Sequence, residues 1–274
     1  MSDFSGGPVA AMRTPTTGEQ DPGSDRPGWR SRLNAEAAIV LFAIPVIVVV
    51  GFASYAIWHA TASLDSVEQS SLAWPTIWEQ IWGHVKLTFV SAFFVVIIAV
   101  PLGILLTRGR AKAAAPIVVG LANAGQAAPS VGLIVLFAMW IRFGFSTAVI
   151  ALTVYAILPV LRNTIVGLQG VDRTLVEAGR GVGMSAASVL LRVELPLALP
   201  VIMAGVRTAL VLLVGTATLS TFINGGGLGG TIQAGISLLR YSVIVWGAVL
   251  VALLALLIEW VGRVLELLVR PKGV

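Results

Sequence analysis

The chain has 274 residues and a formal net charge of +5, with 57% hydrophobic and only 11% charged residues. At a mean hydropathy of +0.93, it has too little polar surface to coat a water-soluble globule. Its basic residues are scattered singly between apolar segments and form no stripe, so no nucleic acid partner is expected. The absence of cysteine excludes thiolate metal sites, disulfides and cysteine nucleophiles.

The N-terminal segment differs in composition from the rest of the chain. Residues 1–34 are rich in Pro, Gly, Ser, Thr and charged residues and have few large apolar side chains. They cannot offset the entropy that is lost on ordering, so we expect a disordered cytoplasmic tail. No early apolar stretch with a small-residue cleavage site is present, so a signal peptide is not expected. Residues 35–274 are expected to form one transmembrane domain.

Six apolar segments follow, each long enough to cross about 30 Å of hydrocarbon as a helix. They are residues 37–58, 87–106, 117–141, 145–168, 197–222 and 241–268. Open strands leave backbone groups unpaired in lipid, and the alternating pattern of a membrane barrel is missing. The sequence therefore predicts an all-α, polytopic membrane protein with about six transmembrane helices.

The basic residues predict the orientation of these helices. With the N-terminus inside, fourteen of them fall on cytoplasmic segments, and only Lys86, Arg142 and Arg240 fall outside. The remaining one, Arg207, lies within the fifth span. By the positive-inside rule, we expect a multi-pass protein of the cell membrane with both termini in the cytoplasm.

Three tryptophans, Trp74, Trp78 and Trp82, precede the second span at helical spacing. They predict a short helix on the outer surface, because tryptophan is common at membrane interfaces. The alternative is an aromatic cage that holds a quaternary ammonium ligand by cation–π attraction. The two histidines, His59 and His84, lie in the same segment away from other ligand residues, so no metal site is expected.

The segment between the fourth and fifth spans, residues 172–196, is the one long polar interruption on the predicted cytoplasmic side. Its apolar residues recur at roughly helical intervals, with charged residues on the other side. It resembles the EAA loop of ABC importer permeases: Glu-Ala-Ala, three residues, Gly, nine residues, an aliphatic residue, one residue and Leu-Pro. The matching residues are Glu177, Ala178, Gly183, Val193, Leu195 and Pro196.

The chain departs from this pattern at Gly179, which replaces the second alanine and weakens a helix by up to about 1 kcal/mol. The resemblance implies a coupling helix that sits in a groove of a cytoplasmic ATPase. The residues expected to contact the ATPase are Glu177, Ala178, Gly179, Arg180 and Gly183. The small residues would let another surface come close, while Glu177 and Arg180 offer opposite charges for register.

A wider resemblance covers residues 84 to 230. The chain is similar there to permeases of the betaine, choline and carnitine importers used in osmoprotection. The phrases that carry this similarity are PLGILLTR, QAAPSVGL, ILPVLRNTIVGLQGVD, EAGRGVGM, RVELPLALPVIMAGVRTA and GTATLSTFINGGGLGG.

This resemblance implies a type I ABC importer permease fold for residues 35–274. It also implies import of glycine betaine, choline, carnitine or a similar quaternary ammonium solute, with no enzymatic activity in this chain. ATP and Mg would bind a separate ABC ATPase dimer, so no cofactor is expected here. The other implied partners are a second permease, identical or different, an external solute-binding protein and membrane lipid.

Two alternatives stay open at this point. One is a permease of another ABC importer class, for amino acids, sulfonates or phosphonates, because the EAA loop is shared among them. The other is a secondary transporter or channel, which usually shows membrane-embedded carboxylates or an inverted repeat.

Polar residues inside the spans are candidates for a translocation path, because such groups are costly in lipid. The candidates are Asn123, Gln126, Pro129, Ser130, Asn163, Thr216 and Thr218. The same residue types also hold helices together, so both roles are open. Arg207 is expected to pair with a backbone carbonyl, a carboxylate such as Glu259, or the cytoplasmic loop. The glycine run at 225–230 lacks the following Lys-Ser or Lys-Thr of a phosphate loop.

Overall fold

The structure, a computed structural model, describes the backbone of residues 29–269 and the side chains of residues 41–267. The tail was predicted for residues 1–34, and its first 28 residues lie outside the described part of the chain. The first helix begins at Trp29. The helices are α1 (Trp29–Thr61), α2 (Ser66–Ser71), α3 (Trp74–Leu106), α4 (Ala115–Ala127), α5 (Ser130–Trp140), α6 (Phe145–Gln169), α7 (Arg173–Gly181), α8 (Ala186–Val189), α9 (Leu195–Ala217), α10 (Gly229–Ser237) and α11 (Tyr241–Val269). Short 3-10 helices cover Gly109–Ala114 and Thr218–Ile223, and a π-helical turn covers Leu190–Glu194.

Five helical stretches in the described part are long and apolar enough to cross a membrane. They are Leu41–Thr61, Trp74–Leu106, Phe145–Gln169, Ala186–Ile223 and Tyr241–Leu267. They confirm the predicted first, second, fourth, fifth and sixth spans. The protein is therefore a helical, multi-pass membrane protein.

The third predicted span is not one continuous helix. Gly109–Ala127 and Ser130–Trp140 meet at an angle of 98°. Ala128, between them, is extended, with φ −65° and ψ 143°. The following residue is Pro129, whose ring disfavours helical geometry at the residue before it and which has no N–H to donate. The break at this proline makes the segment either a broken span or a re-entrant loop.

The prediction of a short surface helix at the three tryptophans is wrong. Trp74 begins a single 33-residue helix that runs without interruption to Leu106. At about 1.5 Å per residue it is about 50 Å long, so it exceeds the hydrocarbon thickness of about 30 Å. Pro75 occupies the first turn, where its missing N–H costs nothing. The tryptophans therefore occupy the first turns of a spanning helix.

The core of the bundle is α6, which packs between α3 and α9. Glycines on the neighbouring helices make this approach possible. A Cβ at Gly103 of α3 would lie 2.7 Å from Cβ of Thr164, and one at Gly205 of α9 would lie 2.8 Å from the carbonyl oxygen of Pro159. Helices in lipid associate through close packing of this kind, because burial of apolar surface supplies no drive there.

Gly205→Ala is expected to destabilise the bundle, since its methyl group would collide with a backbone carbonyl that cannot rotate away. We expect a loss of about 1–3 kcal/mol, typical of overpacking, and a lower unfolding temperature of the detergent-solubilised protein. Gly215→Ala is the matched control, because nothing lies within 4 Å of its added Cβ on the same helix. Equal unfolding temperatures for the two variants would contradict this packing.

Candidate functional site

The predicted coupling loop begins with a capped helix and a sharp turn. Before α7, the carboxylate of Asp172 accepts the N–H of Thr174 at 2.8 Å. After α7, Gly183 has φ +86°, in the left-handed region that favours glycine. The N–H of Met184 reaches back to the carbonyl of Gly179 at 3.1 Å, which closes the helix end. Backbone geometry therefore explains the glycine at 183.

The outer side of α7 is open to a partner. Glu177, Ala178 and Arg180 are all exposed. Val182, just beyond the helix, is 81% exposed, and Leu175 is 48% exposed. Four of the five predicted coupling residues, counting Gly183, thus lie at the surface of this loop.

Gly179 is placed differently from the expectation. It is buried, and a Cβ there would lie 3.4 Å from Cγ2 of Val189 and 3.5 Å from Sδ of Met184. The small residue therefore serves close packing within the loop, because α8 folds back across this position. The expected approach of another surface to Gly179 is wrong for this structure.

The second half of the loop continues directly into the fifth span. Ser185 caps α8 by accepting the N–H of Ser188 at 3.2 Å. The chain then makes a π-helical turn, in which the N–H of Leu195 bonds to the carbonyl of Leu190, and enters α9. Pro196 follows and has no N–H for a helical bond. α8, the π-helical turn and α9 are therefore continuous, with no irregular segment between them.

An ion pair between a partly exposed arginine and a buried glutamate ties this loop to the end of the second span, and sequence reasoning missed it. Glu194, only 4% exposed, lies in the π-helical turn. Both terminal nitrogens of Arg108 donate hydrogen bonds to its carboxylate: Nη1 to Oε1 at 3.1 Å, and Nη2 to Oε2. A two-point guanidinium–carboxylate contact fixes orientation as well as distance. The partners are 86 residues apart, so no local pattern could have paired them.

The path candidates of the broken third span surround its bend. Asn123 and Gln126 lie on α4, with Pro129 and Ser130 at the start of α5. Asn123 Oδ1 accepts a hydrogen bond from Nη2 of Arg162 at 3.1 Å, which links α4 to the exposed side of α6.

Two other path candidates are engaged within the bundle. The amide of Asn163 donates to the carbonyl of Pro159 at 2.8 Å, and it packs where Gly205 approaches. Thr216 is buried, and its hydroxyl donates to the carbonyl of Leu212 at 2.8 Å. Each side chain thus supplies a hydrogen bond to a backbone carbonyl inside the bundle, that of Pro159 or Leu212. In this structure the two residues therefore have packing roles.

Thr218 follows α9 directly, in the 3-10 helix Thr218–Ile223, and its hydroxyl donates to the carbonyl of Gly215 at 2.7 Å. Together with one side of α9 it forms an open stripe. Residues three and four apart on this face are exposed or half-buried from one end to the other. They are Val201, Ala204, Thr208, Val211, Gly215, Thr218 and Phe222. We call this set the α9 stripe; it is rich in small and hydroxyl side chains.

Arg207 lies beside the α9 stripe, and the predicted partner Glu259 is confirmed. Nη1 of Arg207 is 3.6 Å from Oε1 of Glu259 and 3.6 Å from Oε2 of Glu266. Arg263 Nη2 lies 3.5 Å from the same oxygen of Glu259. Glycine at 262 leaves room for the arginine stem, because a Cβ there would sit 3.3 Å from Cγ of Arg207. We call these two arginines and two glutamates the ionic cluster.

At the opposite end of the bundle, the glycine run is held by residues that sequence reasoning missed. The buried ring of His84 accepts the N–H of Leu228 at Nδ1, 3.2 Å away, and its Nε2 donates to the carbonyl of Val214 at 2.9 Å. Gln80 Oε1 accepts from both the N–H and the hydroxyl of Thr231, at 3.1 and 2.7 Å. These bonds join α3 to α9 and α10 and require a neutral histidine.

A cleft of about 620 Å³ opens next to these bonds. Its wall combines side chains of α3 with the glycine run, and Asn224 there adopts a left-handed backbone with φ 56°. Glu79, Gln80, Trp82 and Lys86 supply its polar side.

The three tryptophans do not form a cage in this structure. Trp74 packs edge-on against Tyr55 at 5.2 Å between ring centroids, and Trp78 packs on Phe52 at 6.0 Å. Trp82 lies under the ammonium of Lys86 at 5.4 Å. Trp74 and Trp78, one turn apart on α3, both contact Phe52, whereas Trp82 lies beside Lys86. Among the described residues, no group of His, Asp and Glu could hold a metal ion.

Comparison with known proteins places this bundle in a family. A family model described as "Binding-protein-dependent transport system inner membrane component" matches residues 99–271. The glycine betaine/carnitine/choline transport system permease protein OpuCB of Bacillus subtilis (strain 168) is 43% identical over 190 residues, which are 69% of this chain and 87% of the relative. The choline transport system permease protein OpuBB of the same strain shows the same identity over the same length and shares.

A third relative, the carnitine transport permease protein OpuCB of Listeria monocytogenes, is 39% identical over 195 residues, covering 71% of this chain and 88% of that protein. Among solved structures, the inward-facing MetNI methionine ABC transporter matches with a TM-score of 0.62 at 28% identity, over 73% of this chain and all of that chain. The bundle thus has the type I ABC importer permease fold. The chain belongs to the family of binding-protein-dependent transport system inner membrane components.

Proposed function

We propose that this chain is the permease subunit of an ATP-driven importer of osmoprotectants, with glycine betaine, choline, carnitine or a similar quaternary ammonium compound as its solute. The observation that carries the proposal is the 43% identity, over 69% of the chain, to permeases whose names give these solutes. The matched solved structure at 28% identity comes from a methionine transporter. The closer sequence relationship favours the quaternary ammonium solutes over another importer class.

The chain is expected to act within a larger assembly. A cytoplasmic ABC ATPase dimer would bind ATP and Mg and dock against the exposed side of α7, so the permease itself carries no cofactor and is not an enzyme. A second permease, the same chain or a different one, would complete the translocation path. An external binding protein would deliver the solute at the end that carries the glycine run. This arrangement has both termini in the cytoplasm, as the distribution of basic residues supports.

Coupling would pass through two connections. Closure of the ATPase would displace α7, and the continuous helical path from α8 into α9 would move the fifth span. The contact between Arg108 and Glu194 would move α3 with it, because a two-point ion pair holds both orientation and distance. The α9 stripe would line the path, since its small and hydroxyl side chains leave space beside the helix. Asn123, Gln126, Pro129 and Ser130 would contribute the bend of the third span.

Uptake of radiolabelled glycine betaine tests the function. The chain is co-expressed with its ATPase and binding protein in cells that lack their own uptake systems. We expect uptake that an inactive ATPase variant abolishes, because transport against a gradient needs the partner's hydrolysis. An assembled complex that imports neither glycine betaine, choline nor carnitine would contradict the solute assignment.

Glu177→Arg tests docking at α7. The side chain is exposed, so the fold should tolerate the change, whereas a reversed charge would oppose a docked partner. We expect uptake to fall about tenfold or more, the effect of losing one charge-assisted contact, with unchanged membrane insertion. Gln69→Arg introduces the same side chain at an exposed position of α2 and is the control. Normal uptake by the Glu177 variant would contradict docking at this residue.

A double-mutant cycle tests the contact between Arg108 and Glu194. Arg108→Gln leaves a buried carboxylate without its partner, so we expect fewer solute molecules moved per ATP hydrolysed. Adding Glu194→Gln removes the stranded charge and should recover part of the loss. Lys112→Gln, an exposed cation in the adjacent 3-10 helix, is the control. Additive effects of the two substitutions would mean that the pair does not act as one unit.

A further inference from the structure

The arginine of the ionic cluster lies well inside a helix that is long and apolar enough to cross a membrane. Arg207 is twelve residues from the first residue of α9 and ten from the last, which places it about 18 Å and about 15 Å from the two ends. Ionisable residues at such depth face protein or a water-filled cavity, because hydrocarbon cannot solvate them. The side chain of Arg207 is nevertheless 27% exposed, and that of Glu259 is 24% exposed. Water or another molecule must therefore cover this side of α9.

The ionic cluster places two carboxylates beside Nη1 of Arg207 at distances longer than a hydrogen bond. The guanidinium lies 3.6 Å from one carboxylate oxygen of Glu259 and 3.6 Å from one of Glu266. Both distances exceed the hydrogen-bonding range of about 2.7–3.2 Å for N–H donors. The two pairs thus supply compensating charge, while the planar fork of the arginine can still form a bidentate bond with a carboxylate.

An open cleft of about 390 Å³ lies in front of these charges. Its lining residues are Arg207, Thr208, Val211, Leu212 and Glu259. It therefore presents one positive and one negative group side by side, with one hydroxyl and two apolar side chains around them. Arg263 and Glu266 complete the charge balance of the cluster and do not line the cleft.

The charge pattern selects a kind of solute. A small zwitterion can lie antiparallel to the pair of Arg207 and Glu259, with its carboxylate on the guanidinium and its ammonium beside the glutamate. In glycine betaine a single methylene separates the two charges, so the molecule matches a pair whose charged atoms are 3.6 Å apart. Choline has the ammonium without the carboxylate, and it would leave the arginine unpaired.

The cleft is continuous with the rest of the open face of α9. Thr208 and Val211 belong both to its wall and to the α9 stripe. A solute that follows this face passes the arginine at about the middle of the span.

We propose that Arg207 and Glu259 form a transient binding site for zwitterionic solutes within the permease, in which Arg207 holds the carboxylate and Glu259 faces the ammonium. The site favours glycine betaine and carnitine over choline during passage. This inference rests on the proposed function, because it names which of the proposed solutes the path recognises.

The test compares Arg207→Gln with Arg263→Gln. Both substitutions leave the same net charge in the ionic cluster, yet only Arg207 lines the cleft. Binding of radiolabelled glycine betaine and choline is measured on the purified complex of permease and ATPase without the binding protein. Uptake of each solute is measured in the complete system at saturating solute. The same binding protein is used with every permease variant, so differences in uptake come from the permease.

For Arg207→Gln we expect glycine betaine binding and uptake to fall about tenfold to a hundredfold, the effect of losing a bond between charged groups. Choline should change by less than about twofold, and Arg263→Gln should not alter the ratio between the two solutes. Arg207→Lys keeps the charge but loses the bidentate fork, so a partial loss for glycine betaine is expected. The lysine variant also decides the matter if the glutamine variant does not assemble.

Equal losses for both solutes in the Arg207 and Arg263 variants would make the cluster purely structural and overturn the site. Unchanged glycine betaine binding and uptake in an assembled Arg207→Gln or Arg207→Lys complex would also overturn it. A wild-type complex that takes up neither solute would instead overturn the proposed function, and the solute named here with it.

The lack of cysteine allows a second measurement of the same site. Thr208→Cys is expected to react with a water-soluble thiol reagent, and saturating glycine betaine should slow that reaction. Gln69→Cys, at an exposed position of α2, is the control: it should react with the reagent and should not be protected. Reaction at Thr208→Cys that glycine betaine leaves unchanged, with transport intact, would contradict a bound solute in this cleft.

Discussion

The close approach of α6 to its two neighbours is the contact on which the rest of this bundle depends. At Gly103 the backbone of α3 packs directly against Thr164 of α6, and at Gly205 the backbone of α9 packs against Pro159 of α6. An added Cβ at either glycine would collide with these neighbours. In lipid, where exclusion of water does not drive helices together, such contacts supply the packing energy. They also fix where α9 lies, and with it the α9 stripe, the ionic cluster and the end of the coupling loop.

Function and rigidity are joined in α9. Its first residue follows the π-helical turn after α8, its middle carries Arg207, and its far end continues into a 3-10 helix and the glycine run held by His84. Movement at one end of α9 must therefore displace its middle and its other end, or break a bond that holds one of them. The bonds that cross to α3 are few and well defined: Arg108 with Glu194 at one end and His84 with Val214 at the other. These two contacts therefore hold the two ends of the fifth span.

The polar residues inside the spans fall into two groups by what lies beside them, although the hydroxyl of Thr208, like that of Thr216, also donates to a carbonyl of its own helix, that of Ala204 at 2.9 Å. Asn163 and Thr216 bond to backbone carbonyls of their own helices and hold packing together. Arg207 and Thr208 open to a cleft, and Asn123 is reached by an exposed arginine. Sequence alone assigns both groups to the same class, because both place a polar side chain in an apolar helix. The difference lies in what each side chain meets across the bundle.

The sequence by itself determined the helical class, the five long spans and the presence of a long polar segment between the fourth and fifth predicted spans, because hydropathy and spacing are local properties of the chain. It also indicated Glu259 as a partner of Arg207, since few carboxylates lie near that position. Only the tertiary structure decided that the third span bends by 98°, that Gly179 faces inward and that the tryptophans belong to a continuous α3. The same is true of the pairs Arg108 with Glu194 and His84 with Leu228, 86 and 144 residues apart. Contacts at such separations depend on how helices pack, and no local pattern records that packing.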